Sequence, residues 1–109
     1  MNESKLLLRI PKGGGQLPSD CNQDATLDLS DAICLLGNLF LGTPAVLPCE
    51  GGEASSPGNV ALLNANGDEL GVDVSDAVYL LNFLFLGGAD PALGTKCVAI
   101  AGCPNACTP

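Results

Sequence analysis

The sequence predicts a small, mainly α protein: two loop–helix repeats packed antiparallel, with short β-strands from the ends of the chain and disulfide staples. Three observations predict it. Residues 20–42 (DCNQDATLDLSDAICLLGNLFLG) and 64–87 (NANGDELGVDVSDAVYLLNFLFLG) carry one pattern twice. Their segments LDLSDAICLLGNLFLG and VDVSDAVYLLNFLFLG lie 45 positions apart and agree at ten of sixteen positions. Six cysteines fall in 109 residues. The intervening stretches are rich in Gly, Pro and Ser, which break a chain into short elements. A chain of this length makes one small domain, residues 1–109, with a limited core, so staples are expected.

The elements follow in order. Residues 1–19 form an N-terminal arm in which residues 5–10 (KLLLRI) are a short strand candidate. Pro11-Lys12-Gly13-Gly14-Gly15 then breaks the strand, and the glycines read as a flexible hinge. Residues 20–42 are an acidic loop leading into an apolar helix that Gly42-Thr43-Pro44 stops. Residues 43–63 are a connector whose last four residues, 60–63, add a short helical turn. Residues 64–87 repeat the loop and helix, and Gly87-Gly88 ends the second helix. Residues 88–109 contain a turn, a second strand candidate at 97–101 (CVAIA) and a cysteine-bearing tail. The two strand candidates either pair with each other or add to a sheet in a neighbouring molecule.

The helices are more apolar than a packed pair requires. On the second, a stripe of 3.6-residue period assigns Val78, Leu81 and Phe85 to the core. Leu80, Phe83 and Leu84 are left for the connectors or another chain to cover.

The loops carry the chemistry. Seven of the eight aspartates lie in the two repeated stretches. Ordinary acidic turns capped by Asp28 or Ser30 would leave that clustering unexplained. Calcium takes six to eight oxygens at about 2.3–2.6 Å, which a short loop supplies from alternate side chains and a closing carboxylate. In the first copy Asp20, Asn22 and Asp24 alternate, and Thr26 offers its backbone carbonyl. Asp28 follows, directly or through a water, and Asp31 closes the loop at its twelfth position. Asp31 also stands in the first helical turn, where a negative charge suits the helix dipole. Leu27 at the eighth position is expected to point inward and pack against its counterpart. The second copy offers Asn64, Asn66, Asp68, Asp73 and Asp76, with the carbonyl ligand at Leu70 or Gly71, because this loop runs to thirteen residues. Asn64 removes a charge, so this site is expected to be weaker or bent into unusual geometry, and the sequence does not choose between calcium and another hard cation such as magnesium there. Ala25 stands where a glycine usually makes the sharp turn, which implies backbone strain.

The pattern D-x-N-x-D…D-x-S-D-A followed by L-L-x-x-L-F-L-G resembles the dockerin repeat, a module with one calcium loop and one helix in each of two repeats. It is especially similar to dockerin-like repeats of planctomycete-type extracellular proteins, which share the LFLG ending. The likeness covers residues 20–42 and 64–87, a little under half of the chain. It implies two calcium ions, one held by Asp20, Asn22, Asp24, Asp28 and Asp31, the other by Asn64, Asn66, Asp68, Asp73 and Asp76. It also implies partner contacts at Leu29, Ser30, Val74 and Ser75 and along the helices, with a cohesin as the usual receptor. The chain departs from the family in its longer spacing between copies, the extra residue of the second loop and its six cysteines.

Composition narrows the function further. A net charge of −8 offers no basic patch to nucleic acid. Two bound calcium ions would offset about half of that charge. Without metal the clustered aspartates repel, so apo folding is expected to be poor. Six cysteines imply a disulfide framework and an oxidising compartment, and the sequence does not choose among the pairings they allow. Cys34 and Cys49 can meet if the chain doubles back through residues 43–48. Cys97, Cys103 and Cys107 crowd the tail, and Cys21 lies in the first loop. There is no histidine and no C-x-x-C pair for a zinc or redox cluster. No apolar run is long enough to span a membrane, and no secretory signal is visible. We expect an extracellular or cell-surface protein whose unprocessed product begins upstream of Met1. No histidine base, P-loop or dinucleotide fingerprint is present, so no enzyme is expected. The expected function is a calcium-fixed structural module that associates with copies of itself through apolar helix faces and terminal strands. The alternatives are a docking tag for a cohesin-like receptor and a domain whose calcium serves folding alone.

Overall fold

The computed structural model describes residues 13–69 and 71–109. The strand candidate at 5–10 and the ligand candidate Leu70 lie outside them. The described chain has three helices and one two-stranded sheet: β1 (Gly14–Gln16), α1 (Leu29–Leu41), α2 (Pro57–Leu63), α3 (Val74–Leu86) and β2 (Val98–Ile100). The sheet is antiparallel, with Gly14 opposite Ile100 and Gln16 opposite Val98.

The two long helices begin and end by the same devices. Asp28 caps α1 and accepts from Ser30 N–H at 3.1 Å, while Asp31 reaches back to Asp28 N–H at 2.9 Å. Asp73 and Asp76 form the same reciprocal box on α3, with bonds of 3.0 and 2.8 Å. Such a box satisfies amides that the helix start leaves without partners. Gly42 and Gly87 end the helices in the left-handed conformation at φ 67° and 70°, where a side chain would be strained.

The capping box also sets which face turns inward. Asp31 and Asp76 are fully buried, so the next residue and the one a turn further on follow each of them into the core. These are Ala32 and Leu35 on α1, and Ala77 and Leu80 on α3. The stripe assigned to the second helix is therefore rotated. Val78 and Phe85 are exposed, Leu81 is half-buried, and Leu80 is the buried leucine. Periodicity gave the helix but not its rotation, because its apolar residues run most of the way round and only the buried aspartate distinguishes a side. Leu27 is half-buried, and its counterpart Val72 packs against the core.

α1 and α3 pack on each other, and α2 lies against β2. The connector supplies much of what they enclose: Leu47, Cys49, Leu62 and Leu63 join Leu35, Ala77 and Ile100 in one cluster. The expected turn at 60–63 is the end of α2, which starts at Pro57, a residue suited to a first helical turn. Asn59 is fully buried and ties this helix to the connector. Its side chain accepts from Cys49 N–H at 2.9 Å and donates to Glu53 O at 2.9 Å.

The glycine hinge is corrected. Gly14 and Gly15 belong to β1 and are buried beneath the C-terminal tail. A Cβ on Gly14 would stand 2.2 Å from Pro104 O, and one on Gly15 2.0 Å from Cys107 O. The glycines thus serve close approach of a second backbone. Gly14 N–H donates to Cys103 O at 3.0 Å, and Ala106 N–H to Gly15 O at 2.8 Å. The pairing considered for Cys34 is corrected too. The disulfides are Cys21–Cys34, Cys49–Cys103 and Cys97–Cys107, and no cysteine is free. Cys49 lies in the core against Cys103, while Cys34 reaches back from α1 to the loop that precedes it.

Candidate metal centre

Each loop is folded by its own side chains. In the first, Asn22 Oδ1 accepts from Asp24 N–H at 3.3 Å, and Asp24 Oδ1 from Thr26 N–H at 3.0 Å. These are the short Asx turns that alternating Asp and Asn favour. Asn22 N–H donates to Asp31 Oδ1 at 3.3 Å, and Asn22 Nδ2 to Ser30 Oγ at 2.7 Å. The Ser30 hydroxyl in turn donates to Asp28. Asp20 Oδ2 accepts from Ala25 N–H at 2.8 Å. That bond holds Ala25 at φ 63°, the strained conformation expected where the glycine is missing.

Three carboxylates converge as a result. Oxygens of Asp20, Asp24 and Asp31 all lie within 4.8 Å of one another, Asp20 and Asp31 fully buried and Asp24 exposed. Asp20 Oδ1 is buried with no hydrogen-bond donor. The described residues contain one basic side chain, Lys96, and it lies in neither loop. Burial pushes the Asp31 carboxyl up to about 7, the neighbouring Asp20 adds to the rise, and backbone N–H groups of Asp28 and Asn22 oppose it. Burial likewise raises Asp20, against the bond from Ala25 N–H. Gathered like charges without a counter-ion need either protons or a cation. The donor set is all oxygen, which suits a hard divalent ion.

The second loop reproduces the part of the network next to the helix start. Asn66 N–H donates to Asp76 Oδ1 at 3.2 Å and Asn66 Nδ2 to Ser75 Oγ at 2.9 Å. Asp68 N–H donates to Asn66 Oδ1 at 3.0 Å, and the Ser75 hydroxyl to Asp73. Asn64 occupies the place of Asp20, with Nδ2 donating to Asp68 O at 2.8 Å and Oδ1 buried without a donor. Burial raises the Asp76 carboxyl, opposed by the N–H groups of Asp73 and Asn66. With Asn64 in place of an aspartate, the one three-carboxylate group among the described residues is that of the first loop.

Of the residues expected in the first site, Asp20, Asp24 and Asp31 meet, with Asn22 bonded to both Asp24 and Asp31. Thr26 donates its N–H to Asp24, and the Asp28 carboxylate is engaged as the helix cap. Leu29 and Val74, implied as partner contacts, are about half exposed at 45% and 46%. Ser30 and Ser75 face solvent but spend their hydroxyls inside the loops.

Sequence reasoning missed the brace beneath the first loop. Gln16, fully buried on β1, and Gln23 exchange amide hydrogen bonds of 3.0 and 2.7 Å. Gln16 Nε2 also donates to Pro104 O at 2.6 Å, and Gln23 Nε2 to Asp20 O at 2.8 Å. The pair couples the sheet and tail to the first loop. Gln23 adopts φ 65° to do so, at the position where the second loop has Gly67. Glutamine where the second loop has glycine was the available signal.

The raised carboxyls make a pH prediction. In chelator, the folded chain keeps a proton on Asp31 that the unfolded chain, with an ordinary value near 4, has released. Apo stability is therefore fullest below about pH 4 and falls as pH rises through about 7. The melting temperature in chelator should be higher at pH 5 than at pH 8, and Asp31→Asn should flatten that slope. A melting temperature that climbs over this range, followed by circular dichroism, contradicts the assignment.

Comparison with protein-family models, with curated proteins and with solved structures finds no match to this chain.

Proposed function

We infer that the chain is a non-catalytic, calcium-binding structural module, extracellular or at the cell surface, that assembles with copies of itself. The observation that carries the reading is the Asp20–Asp24–Asp31 group, Asp20 and Asp31 buried, with Asp20 Oδ1 lacking a donor. The same orphaned oxygen recurs at Asn64. Asp20, Asn22, Asp24, Thr26, Asp28 and Asp31 would hold the first ion. Asn64, Asn66, Asp68, Asp73 and Asp76 would hold the second, with a carbonyl from residue 70 or 71. Bound calcium would neutralise the gathered carboxylates and tie each loop to the helix it precedes. In this reading α1 and α3 form the antiparallel pair of a dockerin-like module. Three disulfides are typical of extracellular proteins and suit that location. Among the described residues no helix is long and apolar enough to cross a membrane.

Assembly is supported by what the repeats leave uncovered. Phe40 and Leu41 on α1, and Phe85 and Leu86 on α3, are 66%, 80%, 61% and 78% exposed. Ile33 and Val78 extend the same kind of surface along each helix. Large exposed apolar groups on so small a chain favour a partner surface. A repeated surface suits copies of the chain, as symmetric assemblies reuse one patch.

The test is light scattering after size exclusion, in calcium and then in chelator. The expected result is a large particle in calcium, smaller or unfolded without it, and dispersed by Phe40→Ser with Phe85→Ser. A compact monomer in calcium would sink self-assembly and leave the docking-tag reading, with a cohesin-like receptor as the partner to seek.

A further inference from the structure

We propose that the Cys21–Cys34 disulfide is a positioning element of the first cation loop, setting that loop's affinity for calcium and exposing it to control by reduction. The proposal rests on the calcium reading above. Cys21 lies between Asp20 and Asn22, and Cys34 lies one helical turn beyond Asp31. The bond therefore joins the first ligand of the loop to the helix that carries the last. It closes a separation of only 13 residues, so its constraint falls on this loop rather than on the chain as a whole. What it constrains is three carboxylates whose mutual repulsion would otherwise spread them.

The second repeat is a built-in control. Its corresponding residues are Ala65 and Tyr79, which no covalent bond can join. The backbone turn is the same, with Ala65 N–H donating to Leu63 O at 2.9 Å as Cys21 N–H does to Ser19 O at 2.9 Å. Ala65 is held instead by Ala92 N–H on its carbonyl at 2.9 Å, and Tyr79 donates its hydroxyl to Asp90 O at 2.8 Å. The two loops thus share the bonds at the helix start, and the first adds a covalent tie beside its Asp20 carboxylate and its Gln23 brace.

The tie is also reachable. Cys21 and Cys34 line an open groove of about 500 Å³ walled by Thr43, Pro44, Val46 and Pro48. Cys34 is half-buried, whereas its partner Cys21 lies in the core like Cys49 and Cys103, so a reductant would reach the bond at the Cys34 sulfur. A small dithiol entering the groove would deliver two electrons and two protons. The disulfide would become two thiols, and the dithiol would become its own cyclic disulfide.

The experiment measures calcium affinity by competition with a chromophoric chelator. Asp76→Asn isolates the first loop, and Asp31→Asn the second. In the first background, Cys21→Ala with Cys34→Ala should weaken calcium by about ten- to a hundredfold, the usual effect of losing a support behind the ligands. In the second background the same pair of substitutions should change nothing beyond twofold. Cys97→Ala with Cys107→Ala, which touches the first loop only through the tail and Gln16, should weaken it by less than the Cys21 and Cys34 pair does. Conversely, Ala65→Cys with Tyr79→Cys, oxidised, should tighten the second loop, and dithiothreitol should reverse the gain. That arm stands even if the chain lacking Cys21 and Cys34 fails to fold. An unchanged first loop, or equal losses in both loops, overturns the proposal while leaving the calcium reading intact. A parent chain that binds no calcium overturns both.

Discussion

Stripping calcium at pH 8 is expected to lower the melting temperature by roughly 15–30 °C for each loop occupied, relative to calcium held a thousandfold above its Kd. An ion that binds only the folded chain stabilises it by about 4 kcal/mol at that excess. A chain of this size moves about 4–8 °C per kcal/mol. The effect should be large because the apo loop is costly in itself. Asp20 and Asp31 are fully buried and within reach of Asp24, and Asp20 Oδ1 has no donor. Burial raises both carboxyls, so at pH 8 the empty loop must hold charge its surroundings disfavour. Asp20→Asn, which copies the second loop's Asn64, should remove part of that cost together with much of the first-site affinity. Differential scanning calorimetry in calcium and in chelator reads the shift directly. Coincident transitions would remove calcium from the account.

The second large effect concerns the longest staple. Cys49→Ala with Cys103→Ala should cost about 4 kcal/mol in denaturant unfolding, against about 3 kcal/mol for Cys97→Ala with Cys107→Ala. The two bonds close separations of 54 and 10 residues, and the unfolded chain gains more freedom from the longer. Cys49 and Cys103 are also core residues, so the double alanine leaves unfilled volume beside Leu47 and Leu62. Gly58 stands close by, where a Cβ would meet Cys49 Cβ at 2.9 Å. The site is packed too tightly for relaxation to recover much. Equal losses for the two pairs would contradict this ordering.

How much of this the sequence disclosed depended on whether the determinant was local. The capped helices, their glycine stops and the matched loops follow from residues a few positions apart, and all were legible. The inward rotation of α3 was not, because its leucines and phenylalanines ring the helix and the decisive contact is made by Asp76. The strand at Gly14–Gln16 read as a hinge because glycine signals freedom, yet here it makes room for Pro104 and Cys107, nearly the whole chain away. The cysteine pairs and the Gln16–Gln23 brace are likewise set by tertiary approach, which spacing does not encode. Within the candidate site, alternating Asp and Asn side chains were enough to place Asp20, Asp24 and Asp31 together. Asp28, which the sequence offered both as a ligand and as a cap, is engaged as the cap.

The register of the small sheet has a consequence for the order in which the chain folds. Gly14 pairs with Ile100, so the ladder cannot form until almost the entire described chain is present. Each loop and its helix, by contrast, close contacts within a dozen or so residues. Local contacts form early and distant ones late, since loop-closure entropy must be met before a distant pair can reward it. The repeats are therefore the early units, and β1 with the tail is the latch that shuts over them. A chain emerging stepwise would complete both acidic loops before β2 existed, and β1 would wait without its partner until then.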